Sequence, residues 1–400
     1  MEFISHRMAR IKPSPTLEIA SRAAALKALG DDVIGLAAGE PDFDTPQHIK
    51  DAAVIALSQG KTKYTAVEGT LALRKAIANK FKRENNLDYQ PDQIIVGAGA
   101  KQVIFNALLA TLNPGDEVII PAPFWVSYLD IVALAEGVPV IARCTTEDHL
   151  KLTPELLTEH TTPRTKWLIL NSPNNPSGMV YTKAELEALA SVLRRFPHVH
   201  ILSDDIYEHL IYDNVEFHTL AQVAEDLKER ILTINGVAKT YAMTGWRIGY
   251  GAGPRPLIEA MAILQSQSTS NANSIAQEAT IAALEGSQDF LVEWKKCYVE
   301  RRDQALEILN ATPGLVCLKP QGAFYIYPFC AALMGKQTSS GDAITSDTDL
   351  ATYLLESVGV AVVPGAAFGL SPYFRISYAL ETSLLLEACH RISQAVQLLR

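Results

Sequence analysis

The 400-residue sequence has few cysteines, no block of one charge, and no long apolar run free of helix breakers. Each shortage excludes a class of protein. The five cysteines (Cys144, Cys297, Cys317, Cys330 and Cys389) are odd in number and widely spaced, with no CxxC pair and no histidine at ligand spacing. A disulfide framework and a zinc site built on these thiols are excluded, and no metal is expected. Lysine and arginine number 35 against 44 aspartates and glutamates, a formal charge of −9 without a basic stripe. No electrostatic footprint for nucleic acid or an anionic membrane is left. The uncharged run from Ser357 to Phe374 is long enough to be weighed as a membrane span, but Gly359, Pro364, Gly365, Gly369 and Pro372 break it. At the start, His6, Arg7, Arg10 and Lys12 interrupt any secretory apolar segment, so the expected location is the cytoplasm.

What is present is ordinary globular usage, 48% apolar and 20% charged, far from the signature of disorder. A chain of this length folds as one large or two modest domains, and its expected partner is a small molecule. Short apolar runs alternate with helix-period segments through the middle, the pattern of βαβ units and a mostly parallel sheet. Strands are expected at 93–96, 117–120, 138–142, 167–170, 200–203 and 231–234, with helices over 101–112 and 183–195. Beyond Glu285 the pattern changes to a long amphipathic stretch (290–309), strands at 315–317, 323–327 and 374–378, and a helix from Glu381. The reading is an α/β chain with a large domain over 46–288 and a smaller α/β domain built from 1–45 and 289–400. Residues 335–347 read as a loose surface loop.

Gly97-Ala98-Gly99 lies between a strand and a helix, which invites a dinucleotide fingerprint, but the third glycine of GxGxxG falls on Gln102 and no acidic partner closes the next strand. What survives is a helix N-terminus approached through glycine, a setting for a phosphate.

Lys239 ends a strand-like run, and Arg247 follows eight residues later in Thr244-Gly245-Trp246-Arg247-Ile248-Gly249. Such a pair alone is an ordinary solvated one. The neighbours Ala238, Ala242 and Met243 instead give Lys239 a setting that lowers an ammonium pKa and frees a nucleophilic amine, with Arg247 as a fixed cation for phosphate. Asp204 stands just past the strand Ile201-Leu202-Ser203, where acids reach ligands at the C-terminal edge of a parallel sheet. The loop Asn171-Ser172-Pro173-Asn174-Asn175-Pro176-Ser177-Gly178 and the segment Pro121-Ala122-Pro123-Phe124-Trp125 end strands at the same edge.

With SPNNPSG, DDIY, GVAKTYAMTGWRIG, AAGEPDFDTP and FRISYA together, the sequence resembles the class I, fold-type I pyridoxal-phosphate aminotransferases, most closely the bacterial aspartate aminotransferases of the Iγ subgroup. The likeness runs from about Lys12 to the last helix. It implies a mostly parallel seven-stranded sheet between helices. It implies pyridoxal 5′-phosphate held through a Schiff base on Lys239, with Asp204 at the pyridine nitrogen, Asn175 and Tyr207 at the 3′-oxygen and Trp125 stacked on the ring. The phosphate would rest on Gly99, Ala100 and Lys101 with Arg247, joined by Tyr64 of a neighbouring subunit, which makes a homodimer. Many relatives have serine where this chain has Ala238, so one phosphate hydrogen bond is missing there.

The resemblance also implies a ping-pong amino-group transfer between amino acids and 2-oxo acids. Arg375 would bind the α-carboxylate, with Gly39, Asn175 and Trp125 alongside, and the freed lysine would move the α-proton. Aspartate and 2-oxoglutarate are the expected pair, with prephenate as an addition. Lys12, on a segment that closes over the site in this family, is the candidate for the distal carboxylate. Alternatives are an alanine or aromatic aminotransferase, or a carbon–sulfur β-lyase on the same scaffold. A cofactor-binding transcriptional regulator would need an appended DNA-binding module and a basic face.

Overall fold

The computed structural model describes residues 3–11, 13 and 15–400. A two-residue strand, β1 (Ile34–Gly35), precedes the seven of the main sheet: β2 (Ile94–Gly97), β3 (Glu117–Ala122), β4 (Val138–Arg143), β5 (Thr165–Asn171), β6 (His200–Asp204), β7 (Ile231–Gly236) and β8 (Gly249–Ala252). Four short strands follow: β9 (Tyr325–Ile326), β10 (Val360–Ala361), β11 (Val363–Pro364) and β12 (Phe374–Ser377).

The main sheet runs β2-β8-β7-β6-β5-β3-β4. All neighbours are parallel except β8, which is antiparallel to both β2 and β7. Strands buried on both faces need apolar side chains at successive positions, and the period of two divides them between two cores. Ile94, Val96, Ile119, Leu168, Leu170, Ile201 and Ile231 enter one. Ile95, Val118, Ile120, Ile169, Leu202, Leu232 and Ile234 enter the other. Helices cover both faces because each has one apolar side. In Lys183–Arg195 that side is Leu186, Leu189, Ala190 and Leu193, and the helix starts at a reciprocal cap between Thr182 and Glu185. The expected mostly parallel, seven-stranded α/β sheet is thus present.

A third core draws on both chain ends. Ile34 and Leu36 pack with Tyr298, Leu306, Leu354, Ile376 and Ile392, and also with Ile206 and Tyr207, which follow β6. Here β1 pairs with β10, and β12 lies between β11 and β9. This second assembly therefore abuts the edge of the main sheet at which Asp204 ends its strand.

Three expectations differ from the structure. The expected strand 315–317 is a single pairing of Val316 with Phe329. The strand at 323–327 shrinks to β9, because Ala323 takes φ +56, outside the extended range. The loop 335–347 is not loose throughout, since Gln337 pairs with Ala343, Ile344 is buried, and Asp347 is the buried first residue of a helix. The Asp347 carboxylate is fixed there by the Ala366 amide at 3.1 Å. No helix among the described residues is long and apolar enough to cross a membrane.

Candidate active site

Four parallel strands deliver side chains to one cavity just beyond their C-terminal ends: β3 leads to Trp125, β5 to Asn175, β6 to Asp204 and Tyr207, and β7 to Lys239. Open α/β sheets bind ligands at this edge. Arg375 on β12 and the segment Ala37–Glu40 close the opposite wall of a cavity of about 450 Å³. Of the residues singled out in the sequence, Gly39, Ala100, Lys101, Trp125, Asn175, Asp204, Tyr207, Lys239, Arg247 and Arg375 line it. Tyr64 is 90% exposed and is not among the lining residues. Lys12 lies outside the described residues.

One end of the cavity is the start of helix Ala100–Thr111, whose N-cap is Gly99 at φ +87. First-turn amides have no acceptor within their own helix, and the helix dipole favours an anion there. The positive φ favours glycine, and a Cβ here would fall 2.3 Å from Nη2 of Arg247 and displace the guanidinium. Arg247 is oriented by the carbonyls of Thr244 at 2.8 Å and Ala98 at 3.2 Å. Amides and guanidinium together form a cradle for a phosphate.

Asp204 is buried, and burial pushes its pKa up to about 6. Against that, the Tyr128 hydroxyl donates to Oδ2 at 2.5 Å and the Ile206 amide donates to Oδ1 at 3.3 Å, both favouring the anion. The strand end is fixed by Asn171, whose Nδ2 donates to the Asp204 carbonyl at 2.9 Å and whose Oδ1 accepts the Asn175 amide at 2.8 Å. Lys239 donates to the carbonyl of Gly39, and its Nζ lies 5.9 Å from the centre of the Tyr207 ring. Burial lowers its pKa to about 8; Arg375 and Arg247 push the same way, while Glu40 and Asp204 oppose them. The amine thus keeps most of its proton at neutral pH but holds a free-base fraction far larger than an ordinary lysine's, which suits a nucleophile or proton carrier.

The guanidinium carbon of Arg375 lies 4.6 Å from the centre of the Tyr325 ring and 5.0 Å from that of Phe368. Its Nη1 donates to Oδ1 of Asn175 at 3.0 Å and Nη2 to the Ala37 carbonyl at 2.6 Å. The buried Nε has no hydrogen-bond partner, so the fork retains a donor for an incoming carboxylate.

The sequence reading missed Tyr128, Tyr325, Phe368 and Ala37. It also took only the backbone of Lys101, whose ammonium stands 4.8 Å over the Trp125 ring at the cavity wall. Among the described residues one group at metal-ligand spacing lies elsewhere, Glu84, Glu208 and His209. The buried ammonium of Lys80 contacts both glutamates and supplies the positive charge there.

A cavity at the edge of a parallel sheet, lined by a softened lysine, a buried aspartate and two arginines, defines a site for an anionic amine or carbonyl substrate beside a phosphorylated group. The family model for aminotransferase class I and II matches residues 31–392, and the chain belongs to that family. It is 56% identical over 392 residues to the aspartate/prephenate aminotransferase of Cereibacter sphaeroides, covering 98% of each chain. A probable aspartate/prephenate aminotransferase of Rickettsia felis is 55% identical over 395 residues, 99% of this chain and 97% of that one. Among solved structures, the aspartate aminotransferase of Rhizobium meliloti superimposes with a TM-score of 0.97 at 54% identity over 99% of both chains. That of Thermus thermophilus with maleate gives 0.92 at 44% identity, over 99% of this chain and 100% of that one. The resemblance read in the sequence is borne out.

Proposed function

We propose that this aminotransferase transfers the amino group of L-aspartate to 2-oxoglutarate, giving oxaloacetate and L-glutamate, and also aminates prephenate to arogenate, with pyridoxal 5′-phosphate as cofactor. The observation that carries the reading is that Lys239, Asp204 and Arg375 face one cavity with an anion cradle at its end. The donors fit the cofactor: Gly99 leaves room against Arg247, and the buried Asp204 carboxylate suits a cationic ring nitrogen. When bound, pyridoxal 5′-phosphate supplies a carbonyl that condenses with amines and a ring that accepts electrons from the α-carbon.

Lys239 would hold the cofactor, and its free amine would move the α-proton of the substrate. A lysine near pKa 8 is suited to both tasks. Asn175 and Tyr207 would hold the 3′-oxygen, Trp125 would lie against the ring, and Arg375 would take the α-carboxylate with Gly39 alongside. Lys12 is the candidate for the distal carboxylate, and Lys101, a further cation on the cavity wall, is a second one. The dicarboxylate preference is supported by the names of the relatives and by maleate, a dicarboxylate, in the Thermus thermophilus structure.

The working form is a homodimer in which Tyr64 serves the neighbouring site. Its exposed ring supports this, as do the exposed Val54, Ile55 and Leu57 on helix Gln47–Ser58. The five free thiols fit a reducing cytoplasm.

Steady-state rates of the holoenzyme with aspartate, prephenate, alanine and tyrosine test the reading. Aspartate is expected to lead. A preference for alanine would overturn the dicarboxylate assignment, and pyruvate release from cystathionine without an oxo-acid acceptor would replace it with a lyase.

A further inference from the structure

Tyr325 is fully buried on β9, and no motif in the sequence marks it. Antiparallel pairing sets Tyr325 opposite Ser377. Positions 375 and 377 share a face of β12, so Tyr325 and Arg375 point to the same side. The phenol does two things there. Its hydroxyl shares a hydrogen bond of 2.8 Å with that of Tyr207, and the two rings meet edge to face at 5.9 Å. Its ring face lies 4.6 Å from the guanidinium carbon of Arg375. The hydroxyl sits where a side chain on residue 39 would otherwise come, 3.1 Å from a Cβ built on Gly39. One side chain therefore touches the residue proposed for the cofactor's 3′-oxygen and the residue proposed for the substrate carboxylate.

We propose that Tyr325 is a positioning residue with two separable roles: its hydroxyl orients the Tyr207 hydroxyl toward the cofactor, and its ring fixes the plane of Arg375 for the substrate. The inference rests on the aminotransferase reading above. When Tyr207 donates to the 3′-oxygen, its own oxygen is left to accept from Tyr325, and a donor chain of this kind strengthens the terminal bond. A cation over an aromatic face is held by the ring quadrupole, more strongly where water is excluded.

The test uses holoenzyme variants Tyr325→Phe and Tyr325→Leu, the first keeping the ring and the second neither ring nor hydroxyl. Two readouts are taken: the midpoint of the pH titration of the bound cofactor's absorbance, and the aspartate KM with the maleate dissociation constant. Tyr325→Phe should raise the proton affinity read from the absorbance at least threefold and leave KM within twofold. Tyr325→Leu should move the midpoint equally and also raise KM and the maleate constant about tenfold. Unmoved values in both variants, or KM rising equally in both, would overturn the assignment. A wild-type protein that binds no cofactor would instead overturn the function reading, and this inference with it.

Discussion

Arg375 and Asn175, 200 positions apart in the chain, meet through Nη1 and Oδ1 at 3.0 Å. The contact joins β12 of the second assembly to the loop that ends β5 of the main sheet. The guanidinium is thus oriented before substrate arrives, and its position depends on both halves of the molecule. Preorganised donors of this kind cost little at the moment of binding.

The Arg375→Lys variant keeps the charge and loses the fork. Charge-assisted hydrogen bonds contribute about 1.5–3 kcal/mol each, so loss of one should lower kcat/KM for aspartate roughly ten- to 150-fold. Cofactor binding should be unchanged within a few-fold. Steady-state kinetics beside a cofactor titration separates the two, and an unchanged kcat/KM would remove Arg375 from the substrate site.

Gly99→Ala introduces a Cβ that would lie 2.3 Å from Nη2 of Arg247, at a φ of +87. Alanine at positive φ costs about 1 kcal/mol or more, and Arg247 must swing out of the cradle. The expected result is a cofactor dissociation constant at least about tenfold higher, with most of the loss at the phosphate end. Inorganic phosphate as a competitor of cofactor binding reads that end alone, and its constant should rise in parallel.

The legible parts of the molecule were those carried by local pattern. The apolar runs of β2 and β6 and the capped helix Lys183–Arg195 follow from periodicity and end signals. Lys239, Asp204, Asn175 and Arg375 stand in contiguous motifs. By contrast, β8 reads Gly-Tyr-Gly-Ala, with glycines that weaken any strand signal. Tyr128 reaches Asp204 across 76 positions, and Tyr325 reaches Tyr207 across 118. Such contacts exist only after the sheet order is set, so no window of sequence encodes them. Lys80 is similar: an ordinary charged residue of an amphipathic helix, it is buried because Glu208 stands opposite it.

Lys239 carries a pH prediction for the protein without cofactor. Its pKa is lowered from 10.5 to about 8, mainly by burial. An amine-selective reagent should therefore label it with a midpoint near pH 8. The folded chain releases this proton near pH 8 and the unfolded chain near 10.5, so the unfolded state binds more protons between those values. Stability contributed by this group then rises with pH across the window. Lys239→Met should abolish that rise in urea unfolding compared at pH 8 and pH 10. An unchanged slope would show that the amine is not desolvated.

Asp204 gives the opposite sign, and Tyr128 sets its size. The folded apoprotein holds the Asp204 proton up to about pH 6, whereas the unfolded chain releases it near 3.8. The folded state binds more protons in between, so this group's contribution to stability falls as pH rises through that window. Tyr128→Phe removes the 2.5 Å hydrogen bond to Oδ2 and leaves a buried carboxylate oxygen without its donor. Protonation then becomes easier, the midpoint moves above 6, and the loss of stability extends to higher pH. At neutral pH the unpaired oxygen costs about 1–3 kcal/mol. Asp204→Asn removes the ionisation altogether, so adding Tyr128→Phe to it should change stability far less than in the wild type. Chemical denaturation of the four proteins from pH 4 to 8 measures this coupling, and additive effects would show that Tyr128 acts on something other than the aspartate.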